Sequence, residues 1–181
     1  MSEIYFEKEL TFIEDEEVRN QCIEVLKHIN SEFYKAGASS TGKYHPDYAA
    51  GEGGLYRHTI AAVKIAKSLF TIHDFDEKDR SYIIAALILH DSCKHGKDWE
   101  NKYSKHEHPD LAKELILEHA TDSEFKTIVG DMVERHMGQW TTCKWSKTVL
   151  VEPCTDAEKF VHLCDYLASR KFIDIKFEEE P

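Results

Sequence analysis

Tyr82-Ile83-Ile84-Ala85-Ala86-Leu87-Ile88-Leu89-His90-Asp91 is an apolar run that ends on an imidazole and a carboxylate. The run has no clean 3.6-residue period. Its alanines, its leucines and its length nevertheless favour a buried central helix over a strand. Asp76 is placed to cap the start of that helix, and Gly96 to stop it. Two polar groups at the end of a buried segment are costly unless something pairs with them. A bound metal ion is the pairing that explains both at once.

The sequence on either side reads as mostly helical. Val18, Cys22, Val25, Leu26 and Ile29 recur at spacings of three and four, so residues 15–35 read as an amphipathic helix. The glycine-rich stretch 36–56 reads as a long irregular loop, a kind of segment that often carries function. Ala61, Ala62, Ile65, Ala66 and Leu69 mark the buried stripe of a helix over 57–72. His108-Pro109 opens a further helix, with Pro109 in the favoured first turn. Thr121 and Glu124 form a capping-box pattern for a helix ending near His136, and Thr155 and Glu158 form one for the last helix. Residues 137–153, rich in Trp, Thr and Val, read as an ordered loop or a small β-hairpin near 140–152. The tail 172–177 alternates apolar and polar residues and reads as a short strand or extended arm. The expected fold class is all-α: a compact helical bundle in one domain, 1–181. Its motif-bearing core is about 52–170, with helix 15–35 and tail 171–181 as extensions.

Composition narrows the function classes. The chain has 181 residues and a formal net charge of −11, which disfavours an extended nucleic acid as the main ligand. The charge is uneven. Lys94, Lys97, Lys102 and Lys105 follow the His-Asp pair, and no acidic residue occurs from His136 to Val151. An acidic chain with a locally basic rim suits a small phosphorylated substrate. No run approaches a membrane span and no signal segment opens the chain, so the expectation is a cytoplasmic protein without a membrane partner. The five cysteines form no CxxC pair and read as buried reduced thiols.

His58, His108, His136 and Asp165 join His90 and Asp91 as candidate metal ligands, each near a helix end or on a helix face. Collecting donors from several helices is what a metal site inside a helical domain requires. Asp165 lies among Leu163, Cys164 and Leu167, where a carboxylate is rarely buried unpaired. Lys94 follows His90 by four residues and Asp91 by three, so it shares their face. His106 competes with His108 for one ligand position, and the His-Pro helix start favours His108. Arg170 reads equally as a surface residue or a phosphate contact. Trp140 and Trp145 read either as base-stacking residues or, more readily, as loop packing. His28, His45, His73, His119 and His162 read as having no catalytic part, although His45, in the glycine loop, could reach the site.

The ordered set resembles the HD-domain superfamily of metal-dependent phosphohydrolases. The matching segments are Gly53-Gly54-Leu55-Tyr56-Arg57-His58-Thr59, Leu87-Ile88-Leu89-His90-Asp91-Ser92-Cys93-Lys94, Glu107-His108-Pro109-Asp110-Leu111-Ala112, Val133-Glu134-Arg135-His136-Met137-Gly138 and Leu163-Cys164-Asp165-Tyr166-Leu167-Ala168-Ser169-Arg170. The spacing looks like that of the binuclear branches, which include HD-GYP phosphodiesterases, dinucleotide polyphosphate hydrolases and some 3′–5′ exoribonucleases. The resemblance implies one metal held by His58, His90, Asp91 and Asp165. It implies a second held by His108 and His136, with Asp91 as the bridge. One or two ions of Fe, Mn, Co, Ni or Zn suit this donor set better than Ca. Lys94 would stabilise phosphate charge, with Arg170 and Trp140 as further substrate contacts. The implied activity is metal-dependent hydrolysis of a phosphoester or phosphoanhydride in a nucleotide or nucleotide-derived molecule. The alternative is a silent nucleotide-binding or sensory module on the same fold. The Gly-Tyr-Pro signature is absent, which disfavours the HD-GYP activity. Residues 137–153 lack a counterpart in the general motif and are a candidate for substrate selection.

Overall fold

The computed structural model describes residues 5–39, 45–173 and 175. Among these, seven α-helices and two short 3₁₀ turns occur, with no strand. The helices are α1 (Glu7–Leu10), α2 (Glu16–Leu26), α3 (Gly54–Leu69), α4 (Glu77–Leu89), α5 (His108–His119), α6 (Ser123–Glu134) and α7 (Asp156–Ala168). The all-α class is as expected.

Helix α4 is the centre of the bundle. It packs against α2, α3, α6 and α7, and every residue from Ser81 to Cys93 is buried. That surround explains the missing period, because a helix enclosed on all sides needs no polar face. Asp76 caps it by accepting from the Asp79 amide at 2.8 Å. Regular helix ends at Leu89, earlier than a stop at Gly96 implies. The chain then continues in tight turns, Ser92 N to Leu89 O, Lys94 N to Asp91 O and Gly96 N to Cys93 O. Gly96 ends this series with φ 98°.

Other boundaries shift for local reasons. The helix expected over 15–35 ends at Leu26. Asn30 then accepts from the Glu32 amide and starts a separate 3₁₀ turn, Ser31–Tyr34. The helix expected over 57–72 begins three residues earlier, at Gly54. A Cβ at Gly54 would collide with the Ala49 carbonyl, so glycine permits the loop to lie against the helix start. The Thr155–Glu158 capping box is present. The Thr121–Glu124 box is not. Asp122 caps α6 instead, accepting from Phe125 N at 2.6 Å. Thr121 is engaged by Gln21, whose Oε1 accepts its amide at 2.7 Å and ties α2 to the α5–α6 turn.

Residues 137–153 form an ordered loop rather than a hairpin. Leu150 N donates to Thr141 O at 2.8 Å, but no ladder follows. Leu150 is buried, and Ser146 hydrogen-bonds Glu107. The cysteines are all free, but only Cys22, Cys93 and Cys164 are buried; Cys154 is exposed and Cys143 half-buried. Most of the tail 171–181 lies outside the described residues, and with it the strand or arm expected at 172–177. No helix among the described residues is long and apolar enough to cross a membrane.

Two substitutions test this packing in chemical denaturation. Gly54→Ala should lose ~1–3 kcal/mol through overpacking against Ala49. Thr155→Ala should lose ~1 kcal/mol through the broken cap.

Candidate metal centre

The turn after α4 brings His90 and Asp91 to the middle of a buried cluster. His58 comes from α3, His108 from the first turn of α5, His136 from just after α6 and Asp165 from α7. All of them except Asp165 are fully buried, and the Asp165 side chain is 19% exposed. Asp91 divides its two oxygens between two groups of imidazoles. Oδ2 lies 3.4 Å from His90 Nε2 and 3.9 Å from His58 Nε2. Oδ1 lies 3.1 Å from His108 Nε2 and 3.8 Å from His136 Nε2. Asp165 Oδ1 sits 2.9 Å from His58 Nε2 and 3.5 Å from His90 Nε2.

Three groups of donor atoms are close enough to share an ion: His58, His90 and Asp91; Asp91, His108 and His136; and His90, His136 and Asp165. The first two overlap the two halves expected from sequence, while Asp165, expected with the first half, groups with His90 and His136. The third crosses between them, so the halves are contiguous.

The orientation of the rings follows from their own main chain. His90 Nδ1, His108 Nδ1 and His136 Nδ1 each contact the carbonyl three residues earlier, Leu87 O, Lys105 O and Val133 O, at 2.7 Å. A carbonyl only accepts, so each Nδ1 carries a hydrogen, and each Nε2 points toward the centre, where it can bind an ion in place of a proton. This is the tautomer a metal ligand needs. His108 Nε2 and His136 Nε2 face one another at 3.1 Å. Two nitrogens bound at about 2.1 Å to one ion lie about 3 Å apart when they subtend a right angle.

The polar atoms left without partners point the same way. His90 Nε2 and Asp91 Oδ1 are buried and make no hydrogen bond. Orphaned donors and acceptors are rare in protein interiors. A divalent cation would engage both, so the residues present fit a metal.

The electrostatics favour a cation as well. Burial alone would raise the Asp91 pKa, but Lys94 and His90 hold it well below the usual carboxylate range. Burial would likewise raise Asp165, but the hydrogen bond from His58 and the nearby His90 imidazole hold it low. At His90, burial lowers the pKa, yet Asp91 and Asp165 carry it up to about 10. His136 falls to about 3, from burial and then from His90 and His108. Two buried carboxylates thus draw positive charge to one end of the cluster.

The remaining candidates separate clearly. Lys94 Nζ contacts Asp91 Oδ2 at the edge of the cluster. Lys97 does not reach it, because Glu118 at 2.8 Å and Glu114 at 3.0 Å engage its ammonium. His106 also lies outside; its Nε2 reaches the carbonyls of Thr141 and Thr148, each at 3.2 Å, and joins two loops. His95 stacks on Trp99. Arg170 rests over the Tyr166 ring at 4.4 Å and bonds Ser169 Oγ. Trp140 stacks on the same tyrosine, 5.6 Å between centroids, and remains 43% exposed. Trp145 projects outward beside Lys144.

Sequence reasoning gave no role to Tyr166 or His162. Their signal was their spacing, since 162 and 166 share one face of α7 next to Asp165, with Arg170 just past the end of that helix. His45 stands edge-on to His58, 5.2 Å between ring centroids. Burial, His58 and Lys94 lower its pKa to about 3.

The family model described as HD domain matches residues 55–170. A dihydroneopterin 2′,3′-cyclic phosphate phosphodiesterase of Methanocaldococcus jannaschii is 37% identical over 95 residues, covering 45% of this chain and 36% of that protein. The chain therefore spans little more than a third of that relative's length. No solved structure matches significantly.

Elemental analysis distinguishes the two neighbouring histidines. His108→Gln should weaken metal retention by at least ~10-fold, the scale already lost when only an outer partner of a ligand is removed. His106→Gln should leave metal content at the wild-type level.

Proposed function

The chain belongs to the HD domain family, and from that premise we propose that it is a metal-dependent phosphohydrolase. Its substrate is a nucleotide or a small nucleotide-derived phosphoester. The observation that carries this reading is the division of Asp91, with one oxygen toward His58 and His90 and the other toward His108 and His136. A carboxylate in that position suits a bridge between two ions. His58, His90, Asp91 and Asp165 would hold one ion, and Asp91, His108 and His136 the other. Bound divalent ions supply Lewis-acid polarisation of a phosphoryl oxygen and a water activated near neutral pH.

The chain's own residues do the rest. Lys94, at the edge of the cluster and on Asp91, is placed to exchange that contact for a phosphoryl oxygen and to offset charge that builds up there. Its ammonium has three rotatable donors, so it can follow a phosphate through the reaction. Asp165 is the most exposed of the ligand set, which supports an approach for substrate beside α7. Trp140, Tyr166 and Arg170 line the neighbouring face of that helix as a stacked column. An exposed indole on such a column suits a flat heteroaromatic group. The cyclic phosphodiester and the pterin in the relative's name are consistent with that pairing of a phosphoester and a heterocycle. Iron or manganese is the ion we favour for a mixed imidazole–carboxylate set.

A screen of 2′,3′-cyclic nucleotides, mononucleotides, dinucleotide polyphosphates and short oligonucleotides, with iron- or manganese-loaded protein, tests this reading. Turnover of at least one class is expected, and Asp91→Ala should abolish it. Lys94→Ala should lower kcat by ~100-fold or more. Equal activity in wild type and Asp91→Ala would refute the assignment. On a nucleotide substrate Trp140→Ala should raise KM roughly tenfold, the scale of one lost stacking contact. On glycerol 2,3-cyclic phosphate, which has no ring to stack, it should have little effect.

A further inference from the structure

Beside the metal ligands lies a buried polar atom with no task. His45 Nδ1 is shielded from solvent and makes no hydrogen bond. Its ring packs edge-on against His58, yet it belongs to none of the three groups of donor atoms close enough to share an ion. Lys94, Asp91 and Asp165 are its other charged neighbours. An unpaired ring nitrogen at that place is costly in the free protein and becomes useful only when something with a complementary atom enters.

The chain after His45 is built to hold it there. Pro46 restricts the residue before it to extended backbone. The following turn is pinned on two sides. Tyr48 Oη donates to Ala168 O at the end of α7, 2.7 Å. Arg57, one residue before His58, donates to the carbonyls of Tyr48, Ala50 and Glu52. Ala38 N closes the loop on Ala49 O at 3.0 Å. Four main-chain carbonyls therefore fix the segment to the same two helices that carry His58 and Asp165.

We propose that His45 is a substrate-contacting residue, its Nδ1–H donating a hydrogen bond to a phosphoryl oxygen beside Lys94. The proposal rests on the phosphoester reading of the site. Oxygen atoms of a phosphoester only accept, so the tautomer with hydrogen on Nδ1 is the one that pairs with them. The two neighbours divide the work: Lys94 supplies charge on a flexible stem, and His45 supplies one donor in a fixed direction.

The test titrates inorganic phosphate into metal-loaded wild type, His45→Phe and His45→Asn by calorimetry, with metal content measured on each. His45→Phe should bind phosphate roughly tenfold more weakly, the loss of one hydrogen bond, with metal content unchanged. His45→Asn, whose amide retains a donor, should recover part of the affinity. Wild-type affinity in His45→Phe overturns the proposal. So does loss of metal from that variant, which would make His45 a ligand or a brace. Turnover is read separately, with 2′,3′-cyclic AMP. If wild type binds phosphate but hydrolyses no phosphoester, the hydrolase reading fails while the phosphate affinities still decide on His45. If wild type binds no phosphate, the assignment of His45 falls, and turnover alone decides the hydrolase reading.

Discussion

A carboxylate buried inside a helical bundle is the constraint around which this molecule is arranged. Asp91 is 1% exposed, and an ionised group so placed must be surrounded by hydrogen-bond donors or positive charge. Four imidazoles and one ammonium meet it, drawn from α3, from the turns around α4 and from the ends of α5 and α6. Each of those elements must therefore end or pass at one place. The central position of α4 follows: a helix packed against α2, α3, α6 and α7 can deliver a side chain to the point where the cluster converges.

The same constraint accounts for what the sequence makes legible. Five of the six clustered side chains mark helix ends or break apolar stripes, and both signals are local. His90 and Asp91 close an apolar run, His108 precedes Pro109, His136 follows an amphipathic turn, and Asp165 interrupts Leu163, Cys164 and Leu167. Boundaries and loops were less legible, because competing local bonds and distant contacts decide them. Asp122 outcompetes Thr121 as a cap since Gln21, a hundred residues earlier, already engages Thr121. Lys97 looks like part of a basic rim until α5 supplies Glu114 and Glu118. The apparent hairpin of 137–153 is held instead by His106 and Glu107 from another loop. The position of His45 is set by Tyr48 and Arg57 acting through main-chain carbonyls, a pattern that leaves no periodic trace.

Chemistry and fold are thus joined through few residues. Arg57 fixes the glycine loop while its neighbour His58 enters the cluster. Gln139 contacts His162, and His162 Nδ1 donates to His136 O at 2.7 Å, so the face of α7 that carries the aromatic column also braces the backbone of a clustered histidine. A Cβ at Gly138 would strike the His162 ring, and the φ of 61° there already favours glycine. A change in the loop beyond Gly138 can therefore reach the cluster through one contact.

The three imidazole braces, each to a carbonyl three residues back, have a consequence for ion exchange. Each brace lies within a single turn of its own segment, so ring orientation is set when that turn forms. No rearrangement between helices is needed to aim Nε2 at the centre. The conformational ordering that a flexible site would undergo on binding is completed at folding. A cage completed in this way would keep its shape with or without an ion. Its imidazoles and carboxylates accept several first-row metals. The identity of any ion bound there would accordingly depend on relative abundance as much as on the protein.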